Sequence, residues 1–305
     1  MRRPVRLNRA IWPSAMRRLR RGIPDPRRLL DQHIDAAVLT ETLSRVKIGA
    51  TYKTTAPDRF PETTRLLAAM PFAAPPVVLD VGASDGSASL AVMDDLAFVR
   101  YYVTDLYIKA YAYLDDAGMF LCDKQARPWL YVNRCFVVFN ELADARWPFR
   151  EIANRVFEGF ESSRCADRRE IFMVNPELAA RRGKRICIEQ YDMFDPWRRE
   201  KVDLVVAANL LNRAYFSDAK LRAALGNLAE AMRDGAVLAV IENRKSSAGW
   251  TEQASIFRRT GSRFLAEAKV GAGSDIRELV VGIDTDAAMD MRPAAHDGKT
   301  SPCAE

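Results

Sequence analysis

At 305 residues, 49% hydrophobic and 28% charged, the chain has the composition of a globular protein with one sizeable domain plus appendages, which excludes disorder throughout. Five well-separated cysteines without a CxxC pair, and only two histidines, His33 and His296, argue against a metal site, a redox disulfide, a catalytic triad or an imidazole base. The net charge of +6 is local: ten arginines lie between Arg2 and Arg28 against one acid, Asp25, so the basic balance is not a nucleic-acid footprint of the whole domain.

Residues 1–28 are expected to form a basic, flexible extension, because Pro4, Pro13 and Pro24 interrupt any long helix there. Ile11, Trp12, Met16, Leu19 and Leu29 interleave with the arginines, a pattern that also fits an organelle transit peptide or a membrane-surface helix. No run approaches the roughly 18 to 20 apolar residues of a membrane span, and no hydrophobic signal core opens the chain. With dispersed, unpaired cysteines, a reduced and cytoplasmic location is expected.

Residues 29–72 read as a helical cap. Ile34, Val38, Leu39, Leu43 and Val46 recur at helical spacing, and Pro61 opens a second helix running to Met70. The main domain is expected over 73–286. It begins with Val77–Gly82, a continuous apolar run of the kind buried on both faces of a parallel sheet. Similar runs follow at Arg100–Thr104, Arg185–Glu189, Val202–Ala207 and Ala236–Glu242. Helical patterns separate most of them, the clearest being Ala219–Met232, stopped by Asp234-Gly235.

Trp250–Arg259 reads as a further helix, and Arg263–Val270 with Glu278–Ile283 as a closing hairpin about Gly271–Ser274. The pattern therefore predicts an α/β fold: a doubly wound, mostly parallel seven-stranded sheet with a C-terminal antiparallel hairpin. Between the second and third strands lie roughly 80 residues where a β-α-β unit needs about 30. An insertion over about 113–182 follows, with a small β element at its start and helices from Pro148 to Arg182. Residues 287–305 are polar and turn-rich and read as a disordered tail.

The residues that carry chemistry begin with Asp80-Val81-Gly82-Ala83-Ser84-Asp85-Gly86-Ser87, a glycine-bearing turn between a buried strand and a helix. Such a turn lets a ligand approach free backbone N–H groups closely. Ser84 and Ser87 stand where a dinucleotide fingerprint needs its second and third glycines, and two acids disfavour a pyrophosphate. The loop suits a cationic ligand carrying an amino group and hydroxyls. Asp105, at the end of the second strand, can accept both hydroxyls of a ribose. Asp192, after the third strand, can accept from an adenine amino group while Met193 and Leu106 cover the ring. Asn209 and Leu210 emerge at the carboxyl edge of the fourth strand, where open α/β sheets bind ligands.

Together these residues resemble the class I S-adenosylmethionine-dependent methyltransferases, over about Val77 to Asp286. The resemblance implies S-adenosyl-L-methionine as cofactor, with Asp80, Gly82, Ala83 and Gly86 on its methionine part, Asp105 on the ribose, and Asp192 with Met193 at the adenine; Ser84 and Asp85 of the same loop are expected in the cofactor site as well. It departs from that family at Ser84, where a glycine is frequent, and in its long insertion. The distal stretch Phe194-Asp195, Val202–Leu211 and Tyr215-Phe216 is similar to chemotaxis-receptor methyltransferases, although Ala208 stands where those carry arginine.

The implied activity is methyl transfer to an oxygen or nitrogen of a small-molecule acceptor. Glu242 and Tyr215 are the candidates for a general base, if one is used. Tyr52, Lys53 and Arg59 are candidates to close over the donor carboxylate. A regulatory or scaffold protein that binds the cofactor without turnover is the second expectation. Methylation of protein or nucleic acid ranks last, since Asn209-Leu210-Leu211-Asn212 is not the Asn-Pro-Pro-Tyr strand end used on base amino groups.

Overall fold

The computed structural model describes residues 4–11, 22–49, 51–53, 56, 58–140, 147–162, 165, 167–246 and 249–284. The chain opens with β1 (Val5–Leu7), α1 (Ala36–Arg45), β2 (Lys47–Ile48), β3 (Thr51–Tyr52), α2 (Pro61–Ala68), β4 (Val77–Val81), α3 (Ser87–Asp95) and β5 (Arg100–Asp105). Next come β6 (Lys109–Leu114), β7 (Met119–Cys122), β8 (Pro128–Val132), β9 (Phe136–Phe139), α4 (Phe149–Glu158), β10 (Asp167–Phe172) and α5 (Pro176–Ala180). The last elements are β11 (Ile186–Gln190), β12 (Val202–Ala208), α6 (Asp218–Ala231), β13 (Met232–Ser246), β14 (Gly249–Thr260), β15 (Arg263–Val270) and α7 (Arg277–Val281). No helix among the described residues is long and apolar enough to cross a membrane.

Two compact units are present, each interrupted in sequence. One comprises 1–59, 83–91 and 105–190. Its centre is an antiparallel six-stranded sheet in the order β1-β9-β8-β7-β6-β10. Alternation of side chains divides its residues between two cores. Ala110, Ala112, Met119, Leu121, Leu130 and Val132 pack with Leu39 and Leu43 of α1, while Tyr113, Phe120, Tyr131 and Val138 pack with Ala153 of α4.

Several expectations change in this unit. The insertion is mainly sheet and begins at Lys109, and Asp167–Phe172, expected to be helical, pairs with β6 along its whole length. Val5–Leu7 lie within the stretch expected to be a flexible extension, yet they pair with Phe136–Val138. Residues 1–3 and 12–21 of the arginine-rich segment and the tail 287–305 lie outside the described residues.

The second unit comprises 60–82, 92–104 and 191–305. Its strands belong to a seven-stranded sheet in the order β11-β5-β4-β12-β13-β14-β15. β4 pairs in parallel with β5 and β12, and β12 in parallel with β13. β13, β14 and β15 then form an antiparallel meander. The sheet is therefore mixed, with these three parallel pairings and two antiparallel ones, and its antiparallel end contains Trp250–Arg259 as a strand where a helix was expected. Glu278–Ile283, expected as a strand, instead falls largely on the short helix α7. Of the two helices expected in the cap, α1 belongs to the first unit and α2 to the second.

Candidate functional site

β4 is buried along all five residues, as a strand flanked on both edges and covered on both faces requires. Its exit is the notable feature. Gly82, Ser84 and Gly86 have φ of +69°, +64° and +77°, three left-handed residues in five, after which α3 begins. A β-carbon on Gly82 would lie 2.8 Å from Leu210 Cδ2, so the glycine answers both a backbone angle and a close approach. Ser84 holds a conformation that costs an L-residue about 1–2 kcal/mol. Its hydroxyl is buried and finds no hydrogen-bond partner among the described residues. Alternating left-handed residues turn successive N–H groups toward one side, the arrangement that builds polar-ligand concavities.

In the second unit, Asp80 is buried and accepts a hydrogen bond from the Tyr101 hydroxyl at 3.0 Å, while its backbone carbonyl accepts from Thr104 Oγ1 at 2.9 Å. Asp192 is partly exposed and accepts from the Phe194 N–H at 3.0 Å, an Asx turn. Burial pushes its carboxyl above the ordinary range; Asp195 adds to the rise, and the Phe194 N–H opposes it. Met193 is buried, and its carbonyl accepts from Asn227 Nδ2 at 3.1 Å.

At the carboxyl end of β12, Asn209 is left-handed, with φ +53°. It is clasped to β13 through Asn209 N to Ile241 O at 2.7 Å, Asn243 N to Asn209 Oδ1 at 2.8 Å, and Asn209 Nδ2 to Asn243 Oδ1 at 3.2 Å. Leu210 follows, over Gly82. At the end of β13, Glu242 is buried, accepting from Asp275 N at 2.9 Å and from both Nε and Nη2 of Arg244 at 3.2 and 3.1 Å. Desolvation and the adjoining Asp275 carboxyl push Glu242 upward against the pull of Arg244. Tyr215 is 56% exposed, with its ring beside Phe216.

In the first unit, Asp105 is held by three donors. Oδ1 accepts from Lys53 Nζ at 2.7 Å and from Tyr107 N at 2.9 Å, and Oδ2 from Ser84 N at 2.8 Å. Lys53 also donates to the Ser84 carbonyl at 3.2 Å. The Lys53 side chain is only 4% exposed, and its partner is what makes a buried ammonium tolerable. Leu106, beside Asp105, is exposed.

Asp85, expected on a ligand, is fully buried. Its carboxylate accepts from Thr40 Oγ1 at 2.7 Å and caps α3 by accepting from Ser87 N at 2.9 Å. Asn175 seals the same network, donating its N–H to the Asp85 carbonyl at 2.8 Å and its Nδ2 to Ser87 Oγ at 3.0 Å. Ala83 links the two halves of the loop, its carbonyl accepting from Gly86 N at 2.9 Å.

Sequence reasoning missed Thr40, Asn175 and Asp275. Asn175-Pro176 carried a usable signal, an asparagine before proline at a helix start. The others are polar residues whose partners lie far along the chain.

No protein-family model matches the chain, and no curated protein matches it. Among solved structures, the chain is similar to the mitomycin 7-O-methyltransferase MmcR, with 18% identity and a TM-score of 0.31 over 62% of this chain and 38% of that one. An O-methyltransferase family protein from Burkholderia thailandensis gives 14% identity and 0.31 over 59% and 36%. The S-adenosylmethionine-dependent methyltransferase SibL gives 16% and 0.31 over 61% and 37%. The likeness thus spans well under half of each of these three proteins.

Proposed function

We propose that the chain is an S-adenosylmethionine-dependent methyltransferase acting on an oxygen or nitrogen of a small molecule. The observation that carries this reading is the β4–α3 turn: three left-handed residues from Gly82 to Gly86, with the Ser84 hydroxyl buried and unpartnered within them. An orphan buried hydroxyl is costly unless a ligand completes it.

The backbone from Gly82 to Gly86 would hold the methionine part of the donor, Asp105 the ribose, and Asp192 with Met193 and Leu106 the adenine. Asn209 and Leu210 stand at the strand edge on the same reading. Asp80 and Asp85 serve it through the backbone only, since their carboxylates are engaged inside the protein. The cofactor supplies a methyl group already activated on a sulfonium, so the chain need mainly orient an in-line attack and exclude water. Glu242, buried and with its carboxyl pushed above the usual carboxylate range by desolvation, is the side chain suited to take a proton from an acceptor hydroxyl or ammonium. Tyr215 is more exposed and less suited.

Calorimetric titration of the full chain with S-adenosylhomocysteine tests the reading. Saturable one-to-one binding is expected, and folded protein that binds neither this product nor S-adenosylmethionine would overturn it.

One observation favours a second reading, a cofactor-binding protein without turnover: the ribose-accepting Asp105 is paired with Lys53. Transfer of labelled methyl from S-adenosylmethionine into any component of a cell extract would dismiss that alternative. Receptor methylation gains nothing, because Ala208 ends β12 where those enzymes carry arginine.

A further inference from the structure

We infer that Lys53 is an internal competitor for the donor's ribose, occupying Asp105 when no donor is bound and leaving it when the diol arrives. This rests on the donor assignment proposed above and concerns how selectively that site fills. An ionised carboxylate offers about four acceptor directions. Three at Asp105 are taken, two on Oδ1 by Lys53 and Tyr107 and one on Oδ2 by Ser84. A ribose diol needs two, so one donor must leave.

Two of the three cannot readily do so. Tyr107 N lies two residues along the same turn, and Ser84 N belongs to the left-handed loop that defines the site. Lys53 is the movable one, a four-carbon stem with a compact ammonium head. Its ammonium also donates to the Ser84 carbonyl, so one cation ties the loop to the acid and holds both in place before binding.

The segment that carries Lys53 is built to reach this point. β2 and β3 form a two-stranded hairpin, Lys47 opposite Tyr52 and Ile48 opposite Thr51. At its turn Gly49 lies so close to the Tyr107 ring that a β-carbon would come within 2.6 Å of it. Tyr107 is in turn wedged edge-on against Trp129, with ring centroids 5.0 Å apart. The hairpin therefore docks on the residue two positions beyond Asp105, and Lys53 follows directly from its second strand. A surface lysine that met an acid by chance would need none of this apparatus.

The test compares wild type, Lys53→Met and Lys53→Gln, each shown folded by its thermal melt, in calorimetric titration with S-adenosylhomocysteine. The expected result is binding at least about tenfold tighter in both variants, which corresponds to about 1.4 kcal/mol. A second measurement needs no variant: lysine acylation read by peptide mass spectrometry, with Lys53 protected in ligand-free protein and modified at saturating S-adenosylhomocysteine. Equal or weaker binding by both variants, or a Lys53 that stays protected at saturation, would overturn the competition while leaving the donor assignment intact. Absence of binding by wild type and both variants would instead remove the donor assignment, and the competition with it.

Discussion

The substitution Gly82→Ala tests the turn at its most constrained point. At φ +69° an alanine pays the left-handed penalty of about 1–2 kcal/mol. Its methyl would also stand 2.8 and 3.1 Å from the two Leu210 methyl carbons. Overpacking costs about 1–3 kcal/mol, and the low end applies because Leu210 is only partly buried and its branched end can swing. The expected loss is about 2–3 kcal/mol. Urea unfolding of the full chain, read from the midpoint at constant slope, measures it. Pairing Gly82→Ala with Leu210→Ala separates the terms, since the cycle should return a coupling of about 1 kcal/mol from the relieved contact and leave the backbone term untouched. A loss below about 0.5 kcal/mol for the single substitution, the range of a neutral surface change, would refute the left-handed turn and its contact together.

Two further outcomes follow from side chains distant in sequence. Glu252→Ala should cost about 0.5–2 kcal/mol, because its carboxylate accepts from the Glu62 and Thr63 N–H groups at 3.1 and 2.7 Å and so caps α2, whose own N-cap, Phe60, has no side-chain acceptor. Glu252→Gln should recover part of that loss in the same urea measurement, and equal stability of all three proteins would exclude the cap. For Glu242 the folded carboxyl lies above its unfolded value, so its contribution is fully present below about pH 4.3 and is lost as pH rises through the raised folded value. Wild type should therefore lose stability relative to Glu242→Gln across that interval, and a difference that stays flat from pH 4 to 8 would show the carboxyl to be ordinary.

The parallel strands were legible because each is a short apolar run buried on both faces. Val77–Val81, Arg100–Asp105 and Val202–Ala208 lie within a residue or so of where their composition puts them. β14 was not legible, for a physical reason. Ala254, Ser255, Ile256 and Phe257 are all buried, and the register shifts between Ile256 and Phe257, so no alternation survives in the sequence. α7 failed in the opposite sense, as a five-residue Arg-Glu-Leu-Val-Val segment too short for its period to speak. β10 reads Asp-Arg-Arg-Glu-Ile-Phe, and its exposed charges suit the edge of a sheet but look helical in isolation. Val5–Leu7 were hidden by the arginines around them, since only pairing with Phe136–Val138 makes them a strand.

The acids show where sequence reasoning about a site reaches its limit. Their position after successive strands was legible; the donor each would meet was not. A buried carboxylate must find hydrogen bonds wherever the fold places it. Asp80 finds Tyr101, Asp85 finds Thr40 and the first turn of α3, and Asp192 finds its own Phe194 N–H. For Asp80 and Asp85 these contacts are a structural explanation that owes nothing to a ligand. Asp105 differs in kind, because its third donor is a buried lysine and not a neighbouring backbone group or hydroxyl. Burying an ammonium beside a glycine turn is expensive, and a fold needing only a stable turn could satisfy Asp105 with Ser84 N, Tyr107 N and solvent. The proposed ligand site therefore rests less on the number of acids than on the left-handed backbone around the Ser84 hydroxyl and the lysine held against Asp105.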